Sequence, residues 1–349
     1  MMIKSELLEA LSVVRPCVQL HTLVPVMSHF CFKDGKIFTY NGTEGMSIDF
    51  DTGLNCCVQA DLFMKILNNA TKEEVAFEQE EEVLLVDNGR IELSILPTSD
   101  FVFEFPVETE KLLTLNEEVI KGISKCVHFS NKNSIMESQY GITFQTDADL
   151  NSLNLFATDN IRIASFWTDG NFDNEINIII PLPFCKQLPR LFKMFGEGEL
   201  SIGVDDTVVA KFGNISYFTS VPTDIKLLDY NAVISSVVGS NDREIDVIPE
   251  MKEAINTTLI VLGSYKDKLV NIYSEGDDAL IFEAEGALAA CTEVVKLGYS
   301  VPIFKCNMDA LMVKDFFTNV DCFCVSINEN NKTIFYGTQG NFIAIMESI

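Results

Sequence analysis

The sequence predicts an α+β fold in which one layout, a helix, strands, a second helix and further strands, occurs three times. Amphipathic stripes at helical spacing alternate along the chain with strand-forming runs and polar turns, and the order of these segments repeats. The chain has 349 residues, of which 47% are hydrophobic, so it is long and apolar enough for three units with their own cores. Each unit is therefore expected to hold a mostly antiparallel sheet with two helices on one face.

The first helix of each unit is short. Its apolar residues recur at three- and four-residue spacing, which places them on one face. These residues are Leu7, Leu8, Leu11 and Val14 in the first unit, Val119, Ile123 and Val127 in the second, and Met251, Ala254, Ile255 and Leu259 in the third. We expect strands after each first helix, joined by sharp turns at residues 33–36, 145–149 and 275–278.

The second helix of each unit begins the part in which the three copies match best. We expect helices over residues 61–70, 182–195 and 307–318, each followed by two or three strands. Pro189 lies inside the second of these helices, so we expect a kink there or a helix whose first turn begins near Pro189. The repeat predicts domains at 1–107, 108–238 and 239–349, with loop-like boundaries near Val107 and over residues 235–241.

The composition argues against several classes of function. No stretch of 18 apolar residues is present, and the N-terminus lacks the apolar run of a signal peptide. The ten cysteines have neither metal-ligand nor disulfide-framework spacing, which favours a reducing cytoplasm. His21, His29 and His128 also lack metal spacing, and no nucleophile motif or phosphate-binding loop is found. We therefore expect no enzyme activity, no cofactor and no membrane contact.

The net charge of −26 and the pI of about 4.4 predict a surface that repels nucleic acid, unless the basic residues are gathered on one surface. Helical periodicity suggests such sorting: basic residues recur at helical spacing opposite the apolar faces, with Lys4, Lys252 and Asn256 completing the pattern. Lysines also occur on helix faces simply because water is there. If the helices face one space, that space suits a phosphate backbone bound without base reading. The predicted DNA contacts are Arg15, Lys65, Lys72, Lys121, Lys125, Lys186, Arg190, Lys193 and, more weakly patterned with Asn307, Lys314.

The chain resembles the bacterial-type DNA polymerase sliding clamp, the beta subunit of DNA polymerase III that acts as a processivity factor. The segment Ala157-Thr-Asp-Asn-Ile-Arg-Ile-Ala164 is close to the family's Ala-Thr-Asp-Gly-His-Arg-Leu-Ala. Leu96-Pro-Thr-Ser-Asp-Phe101 is similar to Leu-Pro-Ala-Glu-Asp-Phe, and Asn41-Gly-Thr-Glu-Gly-Met-Ser-Ile resembles another family strand. Asn160 and Ile161 replace Gly-His, and the tail lacks the Pro-Met-Arg-Leu ending. Such divergence fits a phage or plasmid copy or a distant bacterial lineage.

The resemblance implies three clamp domains per chain and a homodimeric ring of six. The helices would line the hole around double-stranded DNA, and the sheets would form the rim. A clamp loader would open the ring, and a tethered DNA polymerase would gain processivity. The loop holding His21 corresponds to a family loop that touches DNA. The competing interpretation is an acidic, non-enzymatic protein-binding scaffold of repeated α+β domains.

The resemblance also implies a partner-binding pocket between the second and third domains. Such a pocket takes short apolar peptides. Ile163 and Val233 are equally consistent with plain core positions, and the apolar tail is also consistent with a last strand whose end frays. The implied pocket residues are Thr158, Asn160, Ile161, Arg162, Ile163, Leu228, Tyr230, Val233, Ile343, Ile345, Met346 and Ile349.

Overall fold

The structure is a computed structural model. It describes residues 2–87, 89–101, 103–130, 140–147, 150–170, 172, 175–222, 228–237, 243–264, 268–328 and 330–349. The described helices are α1 (Lys4–Val14), α2 (Ala60–Asn69), α3 (Glu117–Cys126), α4 (Leu182–Phe195), α5 (Tyr230–Val237), α6 (Pro249–Leu262) and α7 (Ala310–Asn319).

The strands are antiparallel throughout the described ladders, as predicted. They are β1 (Met2–Ile3), β2 (His29–Lys33), β3 (Lys36–Tyr40), β4 (Glu44–Asp49), β5 (Cys56–Gln59), β6 (Glu74–Val75), β7 (Phe77–Gln79), β8 (Val83–Val86), β9 (Ile91–Leu96), β10 (Glu108–Leu115), β11 (Gly141–Asp147), β12 (Ser152–Thr158), β13 (Arg162–Asp169), β14 (Asn177–Pro181), β15 (Gly198–Gly203), β16 (Thr207–Phe212), β17 (Ile215–Ser220), β18 (Ile245–Asp246), β19 (Leu269–Ser274), β20 (Ala279–Glu285), β21 (Ala290–Lys296), β22 (Phe304–Asp309), β23 (Cys322–Ile327), β24 (Thr333–Gln339) and β25 (Phe342–Glu347).

Unit 1 is one of two compact units and comprises Met1–Asn116 and Arg190–Thr223. Its main sheet has the order β10-β15-β16-β17-β4-β3-β2-β5-β9-β8-β7, and β1 pairs with β6. Helices α1 and α2 pack against each other, and α1 also packs on β3 and β4. Their core side chains, such as Leu7, Leu11 and Phe63, are fully buried. The pairing of β17 with β4 joins strands from the first and second predicted domains.

Unit 2 comprises Glu117–Pro189 and Asp224–Ile349. One sheet has the order β14-β11-β12-β13-β25-β24-β23-β18, and a second has the order β21-β20-β19-β22. Helix α3 packs on β12 and β13, and α6 packs on α7, β20 and β21. The pairing of β13 with β25 joins strands from the second and third predicted domains. The two units do not coincide with the three predicted domains, which remain a prediction.

The helix predictions need three corrections. Helix α4 begins at Leu182 and includes Pro189, so a start near Pro189 is wrong. Helix α7 begins at Ala310 rather than 307, because the Asp309 side chain caps it by accepting hydrogen bonds from the N–H groups of Leu311 and Met312. Asn307 therefore lies in β22 and not on a helix face.

Helix α5 replaces part of the loop predicted over residues 235–241, since it continues to Val237. The rest of that boundary, including the division at 238, lies outside the described residues, as does the end of the turn at 145–149. The turn at 33–36 is present: Asp34 and Gly35 both have positive φ, 51° and 72°. Two such residues form the tight turn that suits a two-residue hairpin.

Candidate functional site

A cavity of about 710 Å³ lies in unit 2 at the pairing of β13 with β25. Ile163 and Ile345 stand directly opposite each other in that pairing and both line the cavity. Val233 and Val237, one turn apart on α5, line it as well. Ile345 and Ile334 belong to a buried hydrophobic cluster that also contains Cys324 and Tyr336. This arrangement offers a concave, mainly aliphatic surface to a ligand.

The turn between β12 and β13 forms one edge of this cavity. Asn160 has a φ of 75°, a left-handed conformation that Asn and Gly tolerate best. The Asp159 carboxylate accepts hydrogen bonds from the backbone N–H groups of Ile161 (3.1 Å) and Arg162 (2.7 Å). The Thr158 hydroxyl donates to the Arg162 carbonyl at 2.8 Å. Asn160 therefore suits the left-handed position of this turn.

Arg162, a predicted pocket residue, has its side chain buried in contacts within the chain and does not line the cavity. It is 6% exposed. Its guanidinium binds Asp159 at 2.8 Å, Asp315 at 3.3 Å and the His128 carbonyl at 2.8 Å. It also lies 5.0 Å from the centre of the Phe129 ring. Arg162 thus connects the β12–β13 turn to the end of α3 and to α7.

Other predicted pocket residues divide into supporting and exposed positions. Thr158, Tyr230 and Met346 are buried and do not line the cavity, and their contact with a partner stays a prediction. Tyr230 stacks on Phe156 with centroids 4.7 Å apart. Ile343 packs against the buried hydrophobic cluster that contains Ile345. Leu228 and Ile349 are exposed but do not line the cavity.

The structure brings together five of the twelve predicted pocket residues around the cavity: Asn160, Ile161, Ile163, Val233 and Ile345. Sequence reasoning missed several lining residues of α5 and of the β23–β24 hairpin. One feature of the sequence could have indicated α5: Val233 and Val237 lie four residues apart, which places them on one face of a helix. The missed residues are Ser236, Val237, Ser326, Ile327, Asn328, Asn330, Ile334 and Glu347.

Some of the predicted DNA-contacting residues of unit 1 already bind other groups of the chain, and others do not. Arg15 pairs with Asp61 at 3.0 Å, and Lys72 pairs with Asp87 at 3.5 Å. Arg190 donates to the Ser12 carbonyl at 2.8 Å, which ties α4 to α1. The remaining three are exposed, and the described residues offer none of them an ion-pair partner: Lys65, Lys193 and His21.

The basic residues of unit 2 divide in the same way. Lys121 pairs with Glu118 at 3.5 Å. Lys125 is half-buried: its ammonium donates to Gln339 Oε1 and lies 4.7 Å from the Phe342 ring centre. Burial, with Lys121 next in effect, lowers the pKa of Lys125. Lys186 and Lys314 are exposed and form no ion pair with any described residue.

Charge sorting is concentrated in α4 rather than spread over six helices. Helix α4 carries Lys186, Arg190 and Lys193 and no acidic residue. By contrast, α1 and α6 each carry two glutamates and one lysine. Several of these glutamates lie near helix N-termini, where the helix dipole favours them. Helices α1 and α6 therefore carry no net positive charge, whereas α4 does, and the sorting of basic residues onto one face of each helix stays a prediction.

No group of three or more His, Cys, Asp or Glu side chains in the described part of the chain is arranged to hold a metal ion. None of the described helices is long and apolar enough to cross a membrane.

Comparison with known proteins identifies the fold. No family model and no curated protein matches the chain. Among solved structures, the chain is similar to the sliding clamp, the beta subunit of DNA polymerase III, from Pseudomonas aeruginosa bound to griselimycin. The TM-score is 0.80 at 17% identity, over 100% of this chain and 98% of that chain.

Two further similar structures agree with this result. The DNA polymerase III beta subunit from Thermotoga maritima gives a TM-score of 0.80 at 13% identity, covering 100% and 98% of the two chains. The Helicobacter pylori beta clamp bound to a DNA ligase peptide gives 0.77 at 15% identity, covering 100% and 99%. The chain therefore has the α+β fold of the bacterial sliding clamps over its whole length.

Proposed function

We propose that this protein is a DNA sliding clamp: it encircles double-stranded DNA and tethers a DNA polymerase for processive synthesis. The observation that carries the proposal is the clamp fold over the whole chain despite 13–18% identity. We propose three clamp domains at 1–107, 108–238 and 239–349. The mechanism is topological and non-catalytic, and it operates in the cytoplasm.

The ring is proposed to be a homodimer, on the evidence of the strand pairings. Two junctions between predicted domains are observed, and both follow one rule. The last strand of a domain pairs with a strand of the domain before it, namely the third strand of that domain's first meander. In this way β17 pairs with β4, and β25 pairs with β13. The same rule pairs β9 of one copy with β21 of a second copy. In the described residues β21 pairs with β20 alone, and residues 91–94 of β9 pair with β8 alone.

The surfaces near these strands support that pairing. Ile260, Leu288 and Val294 are exposed apolar side chains on or near β21, and Leu288 is fully exposed. Exposed apolar patches often mark association surfaces. Beside β9, a groove of about 410 Å³ is lined by Lys72 and Arg90 among others.

DNA is proposed to be held by exposed lysines on helices, chiefly Lys186 and Lys193 of α4, with Lys65 and Lys314. Flexible ammonium groups contact phosphates without reading bases, so the ring stays mobile along the duplex. The acidic remainder of the surface disfavours other DNA contacts.

The cavity at the β13–β25 pairing is proposed to bind the polymerase and the clamp loader. Its aliphatic floor suits short apolar peptide segments. One clamp of the same fold is bound to a DNA ligase peptide, which supports a peptide as the ligand class. Tethering through this cavity would raise the effective polymerase concentration at the primer end.

The experiment compares retention on circular and linear DNA. The protein is loaded on nicked circular DNA, isolated by gel filtration, and the circle is then cut with a restriction enzyme. A clamp stays on the circle and leaves after the cut. The alternative, an acidic protein-binding scaffold, predicts no retention on either form, and equal retention on both would overturn encirclement.

A further inference from the structure

A second cavity, of about 560 Å³, lies in unit 1 on the sheet face at the pairing of β4 with β17. Ser47 and Ser216 stand directly opposite each other in that pairing and both line the cavity. Phe38 of β3 lines it too, with Phe101 and Phe105 of the segment that follows β9. The volume is within the range of pockets that bind small ligands or single side chains with their flanking backbone.

The two cavities are built in the same way. Each lies at a β pairing that joins two predicted domains, and each is lined by one cross-strand pair and by the chain segment between those domains. In unit 2 the pair is Ile163 and Ile345, with α5 as the wall. In unit 1 the pair consists of two serines, and the wall is aromatic. The unit 1 cavity is therefore a second site of the same construction with different chemistry.

The aromatic wall is held in place by ring contacts. Phe103 stacks on Tyr40 and on Phe218, with centroid distances of 4.2 and 4.7 Å. Gly45 permits this, because a Cβ there would lie 2.1 Å from the Phe218 ring. Phe105 lies 4.9 Å from Phe218 as well. The segment is thus fixed on the sheet, and the cavity beside it is preformed.

The floor carries a hydroxyl without a partner. Ser47 is 5% exposed, and its side chain makes no hydrogen bond to any described residue. Among the described residues, every side-chain N or O atom that is inaccessible to solvent has a hydrogen-bond partner. Since the Ser47 hydroxyl has none, it must be accessible, and it opens onto the cavity that Ser47 lines. A hydroxyl that faces a cavity can bond to water there or to a ligand that replaces the water. This hydroxyl therefore points to a ligand with a polar group that reaches the floor.

The rim does not favour an anion. Lys36 pairs with Asp49 at 2.8 Å and Lys211 pairs with Glu108 at 2.7 Å, which neutralises two of the three rim lysines. The third, Lys33, shares the rim with Asp34 and Glu104. The remaining charge is therefore negative, and a phosphate or carboxylate would be repelled.

We propose that this cavity binds the side chain of a tyrosine in an extended segment of a partner protein. The ring fits among Phe38, Phe101 and Phe105, where aromatic side chains pair favourably. The phenol hydroxyl reaches Ser47 and Ser216, and because it both donates and accepts, it matches two hydroxyls. The site stands on the geometry of unit 1 and does not depend on the proposed function.

The test is a ligand-observed NMR titration of the full chain, without DNA, with N-acetyl-tyrosinamide and N-acetyl-phenylalaninamide. We expect the tyrosine probe to bind about fivefold more tightly, the factor that one net hydrogen bond provides. Ser47→Ala should abolish that preference and leave the phenylalanine affinity unchanged. The matched control is Ser220→Ala, at an exposed serine of β17 outside the cavity, which should change neither affinity.

A second variant fills the cavity. Ser216 is half-exposed, so Ser216→Leu should keep the thermal unfolding midpoint and remove binding of both probes. Equal affinities of the two probes in the wild type would overturn the tyrosine assignment, as would no saturable binding of either. N-acetyl-phosphotyrosinamide should not bind, and tighter binding of that probe would show an anion site instead. Because DNA is absent from these titrations, each outcome leaves the clamp proposal untouched.

Discussion

At the scale of single residues, Arg162 is the clearest case of a charge used for structure. Its guanidinium is buried with Asp159 and reaches both the His128 carbonyl and Asp315. A buried cation needs this degree of pairing, because desolvation removes the stabilisation that water provides. The residue supports the edge of the cavity without lining it.

Replacing Arg162 therefore tests its structural role. Arg162→Ala leaves the Asp159 carboxylate buried without its partner, so we expect a loss of about 3–5 kcal/mol in the free energy of unfolding. The control is Arg15→Ala, which removes a half-exposed ion pair with Asp61 and should cost about 0–1 kcal/mol. Urea denaturation followed by fluorescence measures both. Equal effects of the two variants would remove the support role from Arg162.

A substitution of Val233 on α5 tests whether the cavity at the β13–β25 pairing binds a peptide. Val233→Lys places a charge at the cavity edge, where Val233 is already partly exposed, so the fold should survive. Affinity for an apolar peptide from a clamp-binding protein should fall at least about tenfold, the effect of losing one apolar contact of about 1.5 kcal/mol. Ser235→Lys adds the same charge to the same helix away from the cavity. If both variants bind the peptide equally well, the cavity is not the peptide site.

Most of the C-terminal tail belongs to strand β25. Ile345 and Met346 are buried in a strand paired on both sides, with β13 and β24. The tail is thus a true last strand, and only its end, Ile349, is exposed. Deleting residues 345–349 would remove sheet pairing as well as cavity lining, so single substitutions test the site more cleanly.

At the scale of elements, the sequence predicted the antiparallel strands and helix α4 well, because period-two and period-3.6 patterns are local. Its errors have physical causes. Asp309 caps α7 and moves its start to Ala310, which apolar periodicity alone does not show. The family resemblance placed Tyr230 and Thr158 in the pocket but could not separate lining residues from the buried layer behind them. Ion pairs such as Arg15 with Asp61 depend on tertiary contacts and were not predictable.

Helix α4 is the element that tests DNA contact. Lys186→Glu with Lys193→Glu should weaken DNA association and reduce its salt dependence, since fewer counterions are released from the phosphates. Arg190 is left intact because it binds the Ser12 carbonyl. The control, Lys33→Glu with Lys211→Glu, makes the same charge change on exposed strand residues. Fluorescence anisotropy on duplex DNA at several salt concentrations measures both. Equal weakening by the two pairs would show a general charge effect rather than an α4 contact.

Strand β4, at its pairing with β17, contains a buried glutamate, Glu44, that should make the stability of the fold depend on pH. Glu44 accepts a hydrogen bond from the Tyr217 hydroxyl at 2.8 Å, and burial raises the pKa of Glu44 above its ordinary value. The folded protein therefore holds this proton more tightly than the unfolded chain does. The stability from protonation is present below the ordinary pKa and is lost as the pH rises through the raised pKa.

Glu44→Gln removes this titration and keeps an acceptor for Tyr217. Relative to the wild type, its thermal midpoint should rise as the pH increases from about 4 to about 8, across the range in which Glu44 loses its proton. Glu78→Gln removes the same charge from an exposed strand position and should show no such trend. A pH-independent difference between Glu44→Gln and the wild type would contradict the burial effect.

At the scale of the whole molecule, the proposed ring contains the two observed junctions of each chain and a third type of junction formed between two copies. Both observed junctions follow one rule of strand pairing, and β9 and β21 are the strands that the rule leaves to pair. A dimer would have about twice the chain mass of 39.0 kDa. Val294→Asp, on the exposed face of β21, should convert the dimer into a folded monomer in sedimentation equilibrium. A dimer that resists this change would place the interface elsewhere.

The most direct measurement closes the ring covalently. Ser94→Cys on β9 and Thr292→Cys on β21, with Cys291→Ala to remove the neighbouring thiol, are joined by a bis-maleimide after loading on nicked circular DNA. The sample is then treated with sodium dodecyl sulfate, which removes every non-covalent contact. An encircling clamp remains with the circle through this treatment and leaves after one cut in the DNA. Cross-linked protein that leaves the intact circle in detergent would contradict the central claim.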